Sequence, residues 1–113
     1  MAERLPAALE VAALTRRAQA AGDFAAILRK GDADRGVLLL VIASRGHHIA
    51  CLERGMANDG TYRWQRVGPP ESSGSVDVSD FLAKRARFDE DTWIIELDIA
   101  DAERFIAETI GEG

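Results

Sequence analysis

The sequence predicts an α+β domain, with helices packed on a mostly antiparallel sheet of about five strands in the order helix, four strands, helix, strand, helix. Two observations lead there. Apolar residues recur at helical spacing near both ends and again between residues 77 and 88. Between these stretches lie short segments of alternating or continuous apolar residues, set apart by glycine-rich turns. Strands grouped together with helices outside them fit an α+β architecture better than a regular βαβ alternation.

In the first helix Leu5, Leu9, Ala12, Ala13 and Leu14 carry the periodicity, Pro6 falls in the first turn, and Gly22 stands just past the last periodic residue. Its many alanines imply close packing on a sheet, and Arg16 with Arg17 near the C-terminal end suits the helix dipole.

"DFAAILRKG" and "GVLLLVIASRG" flank the polar segment Gly31-Asp32-Ala33-Asp34-Arg35-Gly36, and "HHIACLERG" and "TYRWQRVG" follow with glycines between them. These segments predict a four-stranded antiparallel meander. Val37, Leu39 and Val41 alternate with Leu38, Leu40 and Ile42, so both faces of the second strand should be covered. Tyr62 and Trp64 alternate with Arg63 and Gln65, as in a half-buried strand near an edge whose aromatics face the core.

The Pro, Gly and Ser-rich "GPPESSGSVDVSD" is a connector. Asp77 and Asp80 can cap the second helix, with Val78, Phe81, Leu82 and Phe88 as its buried stripe. "TWIIELDI" sets Trp93, Ile95, Leu97 and Ile99 on one strand face against Ile94, Glu96 and Asp98 on the other. "DAERFIAETI" closes the order with a short helix, Phe105, Ile106 and Ile110 on one side and Asp101 as N-cap.

A chain of 113 residues fits one domain spanning residues 1–113. With 47% hydrophobic and 29% charged residues the composition is that of a globular protein rather than a disordered one. The longest apolar run, Val37 to Ala43, is far short of the roughly 20 residues that cross a bilayer. Glu3 and Glu10 interrupt what would be the apolar core of a secretory signal, which places the protein in the cytoplasm. A lone cysteine, Cys51, agrees with a reducing compartment. A net charge of −5 argues against nucleic acid as the partner.

Five carboxylates crowd "RFDEDTWIIELD". Asp89, Glu90 and Asp91 fall in a turn before the strand, where short polar residues are favoured locally. Glu96 and Asp98 project from one strand face about 6.6 Å apart and could share a cation if a third ligand arrived from elsewhere. The metal-ligand candidates are therefore Asp32, Asp34, Asp89, Asp91 and Glu96. "GDADRG" resembles the start of a calcium loop, but no bidentate glutamate follows it, so a hairpin turn with Gly31 and Gly36 at positive φ accounts for it better. His47 and His48 are adjacent and belong to a turn or the surface. Cys51, on one strand face with Ile49, is expected to be a buried structural thiol. "YRWQR" interleaves aromatic and basic residues, yet the alternation turns its aromatics inward. No phosphate-binding glycine loop, nucleophile elbow or metalloprotease motif is present, and no cofactor is expected.

Two blocks, "FAAILRKGDADRGVLLL" and "RFDEDTWIIELDIADAERFI", together with "ALTRRAQAAG", make the chain similar to a small, mainly alphaproteobacterial family known as domain of unknown function 1491. The resemblance runs over nearly the whole chain. Its most specific elements are Gly31-Asp32, Gly36, and Asp89, Asp91 and Trp93 followed by Glu96. The family often has proline where this chain has Ala33 and Glu90, and both replacements keep a turn residue. The resemblance implies a bacterial cytoplasmic protein with no assigned activity, and it transfers no catalytic residue.

Without a complete catalytic set, the first expectation is a non-enzymatic binding or adaptor module that engages a protein partner or a second copy of itself. The all-apolar second strand motivates self-association, because a small domain has little with which to cover both its faces. Asp32, Arg35, Trp64 and Arg66 are the loop and edge-strand positions expected at a partner contact. The alternative is a divalent-metal-dependent hydrolase or nuclease, with Glu10, Asp32 or Asp34, and Glu53 holding an ion that activates water.

Overall fold

The computed structural model describes residues 5–56 and 58–111. Its elements are α1 (Ala7–Ala20), β1 (Phe24–Arg29), β2 (Leu38–Ser44), β3 (His47–Met56), β4 (Tyr62–Val67), α2 (Ser75–Phe88), β5 (Trp93–Asp98) and α3 (Ala102–Gly111). The predicted α+β class and element order are both present.

The sheet order is β1-β5-β2-β3-β4. Only β2, β3 and β4 form the predicted meander. The last strand inserts between β1 and β2, antiparallel to the first and parallel to the second. The segment from Gly31 to Gly36 is thus a crossing between non-neighbouring strands rather than a hairpin turn. A strand apolar on both faces belongs at the centre of a covered sheet, and β2 lies there, with Leu38 to Ile42 at most 6% exposed.

Two apolar layers cover the sheet. On one side Leu38, Leu40, Ile42, Leu52, Trp93, Ile95, Leu97 and Ile99 meet Ala7, Val11 and Ala18 of α1 and Ala102 and Ile106 of α3. On the other, Leu39, Val41, Cys51 and Ile94 meet Val78, Phe81, Leu82 and Ala86 of α2. The contact stripe of α1 is Ala7, Val11, Leu14 and Ala18, leaving Leu5 and Leu9 exposed. Small residues at that contact let the helix lie close to the strands. The turn after α1 is closed by Gly22 at φ 83°, with the Asp23 amide donating to the Ala18 carbonyl at 2.9 Å, the bond of a Schellman end.

The second helix starts earlier than expected. Gly74 is its N-cap, and Asp77 lies within its first turn, where a negative charge suits the dipole. Phe88, expected in its buried stripe, is 82% exposed because it ends the helix beyond the sheet contact. In α3, Ala102, Ile106 and Thr109 face inward, Phe105 packs against the core, and Ile110 is exposed.

Between β2 and β3, Arg45 and Gly46 both have positive φ, 52° and 80°, as a two-residue type I′ turn requires. A bulge opposite Ile42 and Ala43 then puts Ile49 and Ala50 on one face, so Cys51 does not share a face with Ile49 as strict alternation predicts.

Candidate functional site

The two segments rich in carboxylates converge, and main-chain groups hold them together. The Asp32 amide donates to the Asp91 carbonyl at 3.0 Å. Trp93 Nε1 donates to the Asp32 carbonyl at 2.7 Å. The Asp32 carboxylate accepts from the amides of Asp34 and Arg35 at 2.9 and 2.7 Å, and Asp89 accepts from the Asp91 amide at 2.9 Å. Gly31 and Gly36 are needed for close approach rather than positive φ, since a Cβ on either would overlap the Asp91 carbonyl oxygen. The same loop caps α1, with the amides of Ala7 and Ala8 donating to the carbonyls of Asp34 and Ala33 at 3.2 and 2.9 Å.

Asp32 and Asp89 thus spend carboxylate oxygens on their own turns. Among the described residues no three His, Cys, Asp or Glu side chains gather where they could hold a metal ion. Glu96 lies at the other end of β5, away from this junction. The carboxylates of the hydrolase alternative are also apart: Glu10 faces Arg54 at 3.6 Å on the α1 side, whereas Glu53 pairs with Arg85 at 2.9 Å on the α2 side. The sheet separates them, because consecutive residues of β3 point to opposite faces.

Of the expected partner contacts, Asp32 and Arg35 stand on the exposed crossing loop and Arg66 on edge strand β4, but Trp64 is only 6% exposed. Its indole belongs to the α1-side core, with the Arg54 guanidinium over it at 5.7 Å and over Tyr62 at 5.2 Å. A large apolar ring opposite a helix is worth more buried than displayed.

His48 is buried rather than at the surface. Its Nε2 lies 3.1 Å from the Pro69 carbonyl, and its own carbonyl accepts from Ser72 at 2.9 Å, so β3 holds the connector before α2. Cys51 is fully buried, and burial pushes its thiol up to about 11 while Arg85 pulls weakly the other way. A thiol so placed is no nucleophile at neutral pH.

Sequence reasoning missed a groove on the α2 side. The apolar layer under α2 ends at β5, so Phe24 and Leu28 of β1 remain 55% and 52% exposed. Leu28, Val41, His48, Val78, Leu82 and Glu96 line the groove, and Glu96 also borders an adjoining hollow with Asp23 and Asp98. Asp98 accepts from the amides of Arg45 and Gly46, both at 2.9 Å, and Asp23 from that of Ala100 at 3.1 Å. The half-buried Glu96 carboxylate has no hydrogen-bond or ion-pair partner among the described residues. A signal was present in the sequence: on the strand face that starts at Ile94, Glu96 is an acid inside the strand, before Asp98 at its end.

Among the described residues no helix is long and apolar enough to cross a membrane. None of the curated proteins compared with the chain matches it. Solved structures do. A crystal structure of a DUF1491 family protein from Caulobacter crescentus CB15 is 32% identical, with a TM-score of 0.74 over 88% of this chain and 92% of that one. An NMR structure of a DUF1491 family protein from the same organism is also 32% identical, with a TM-score of 0.76 over 89% and 91%. The solution structure of protein Atu0922 from A. tumefaciens is 25% identical, with a TM-score of 0.70 over 85% and 86%. The family model described as "Protein of unknown function (DUF1491)" matches residues 5–107, and the chain belongs to that family.

Proposed function

We propose that the chain is a non-enzymatic binding module that takes a segment of a protein partner in the groove between α2 and β1. The observation that carries this reading is Glu96, a carboxylate unpartnered among the described residues, in a groove where Leu28, Val41, Val78 and Leu82 lie beside Ser75 and Ser79. A half-buried charge without a partner costs free energy that a bound cation would recover. The chain's net charge of −5 and the neighbouring Asp23 and Asp98, against the single cation Arg45 on that hollow, favour a basic partner. The occupant this chemistry fits is a segment with a lysine or arginine beside an aliphatic side chain, the cation on Glu96 and the aliphatic group against Leu28 and Leu82.

A displayed random-peptide library, selected on the wild-type protein and rescreened on Glu96→Lys and Glu96→Gln, tests this. The expected peptides pair a basic with an aliphatic residue. They bind Glu96→Gln about tenfold more weakly, the effect of one charge-assisted hydrogen bond, and do not bind Glu96→Lys. No enrichment, or peptides held equally by Glu96→Lys, would overturn the proposal.

A further inference from the structure

The sheet has two edges of opposite character. On β4 the exposed side chains are Arg63, Gln65 and Arg66, polar groups of the kind that keep an edge strand from pairing with another. On β1 they are Phe24, Ile27 and Leu28, at 55%, 44% and 52% exposure. An edge that shows three large apolar side chains beside unpaired main-chain groups favours the addition of another strand.

The sequence of that edge is complementary to its own reverse. In "FAAIL", Phe24 to Leu28, an antiparallel copy centred on Ala26 sets Phe24 against Leu28 and Ala25 against Ile27, and a register shift between Ile27 and Arg29 ends the regular alternation there. Faces agree as well as residue types. Ala25 and Ile27 pair across β1–β5 with Leu97 and Ile95 of the α1-side layer, so both point to that side. Leu28 lines the groove under α2, and Phe24 borders the hollow next to it. Residues directly opposite in an antiparallel pair must share a face, and this register satisfies that at every pair from Phe24 to Leu28. A large side chain meets a small one at Ile27 and Ala25, and the two copies of Ala26 leave room at the axis.

At the ends of the pair Asp23 of each copy comes toward Arg29 and Lys30 of the other, basic residues that share their hollow with Asp32, Glu90 and Asp91 as well as Arg87. Such an isologous contact closes on itself.

We infer that two copies of the chain pair antiparallel through β1 about a two-fold axis at Ala26, joining their sheets into one. The two readings share Leu28, but only the occupant of the groove engages Glu96.

Sedimentation equilibrium on the whole chain reads it. The wild type at about 100 μM is expected at twice the 12.3 kDa of one chain. Phe24→Lys and Leu28→Glu, both at exposed positions, are each expected at the single-chain mass with an unchanged far-UV spectrum. Mixed in equal amounts they are expected to recover the doubled mass, because the introduced lysine of one then faces the introduced glutamate of the other, while the native Leu28 and Phe24 still meet. Glu96→Lys is expected to keep the doubled mass, so loss of peptide binding in that variant is separable from loss of the dimer. A wild type that stays at the single-chain mass would overturn the inference. So would two variants that dimerise as the wild type does, or a mixture that stays monomeric when both variants are folded.

Discussion

Trp93 Nε1 donates to the carbonyl of Asp32 at 2.7 Å, across 61 residues of sequence. One indole therefore holds the loop that caps α1 to the strand that enters the middle of the sheet. Trp93→Phe keeps most of the buried ring and removes the donor, so a loss of about 1–2 kcal/mol in urea unfolding is expected. Gly31→Ala is expected to cost more, about 3 kcal/mol, because its methyl group meets the rigid Asp91 carbonyl and the main chain must move.

The two charged residues Glu53 and Arg54 work on opposite sides of the sheet. Arg54 is mostly buried, stacks over Tyr62 and Trp64 and faces Glu10, so Arg54→Ala is expected to cost about 2 kcal/mol through lost packing and an unpaired Glu10. Arg85, 38% exposed at its side chain, should cost under about 1 kcal/mol as Arg85→Ala. Measured together in a double variant the two losses should add, since no shared partner couples them.

Burial of Cys51 gives the protein a pH dependence on the alkaline side. Its thiol is raised from 9.0 to about 11 in the folded state, so the neutral form is favoured by folding. The stabilisation is complete below pH 9 and is lost as pH rises from 9 to about 11, where the unfolded chain releases its proton first. The fall in unfolding free energy across that window should be about 2 kcal/mol shallower in Cys51→Ala than in the wild type. At pH 8 the native thiol should react with a disulfide reagent only as fast as the protein opens.

Arg45 occupies a left-handed position, φ 52°, in the turn between β2 and β3. Arg45→Asn supplies the residue that a type I′ turn prefers and should raise the unfolding free energy by about 1 kcal/mol. Asp98→Ala should lower it by about 1–2 kcal/mol, since the amides of Arg45 and Gly46 both lose their acceptor. Thermal unfolding of the two single variants checks both signs.

Local rules carried the elements and failed on their neighbours. The apolar run from Leu38 to Ile42 announced a strand covered on both faces, and it is one. That run gives no ground for self-association, because α1, α3 and α2 already cover it, and the exposed apolar surface is on β1 instead. That β5 would enter between β1 and β2 was invisible to periodicity, which sees a strand's faces but not its edges. A run apolar on both faces is typical of strands with parallel neighbours, so the parallel pairing of β2 with β5 had left a trace. Ile49 misled alternation because a bulge has no compositional mark. Asp32 and Asp91 drew attention as acids when their main-chain groups matter most, and Glu96 was grouped with them although it lies elsewhere.

The place of β5 also orders events in time. Strand β1 lies at the edge and has β5 as its one partner, and the loop that caps α1 leans on Asp91 and Trp93. During synthesis β2, β3 and β4 can zip together through local hairpins, while α1 and β1 wait for a strand made some 70 residues later. Until then Phe24, Ile27 and Leu28 have no sheet beneath them. The first quarter of the chain thus waits for β5, and a nascent chain stalled before Trp93 would present its edge strand to whatever chaperone or protease reaches it first.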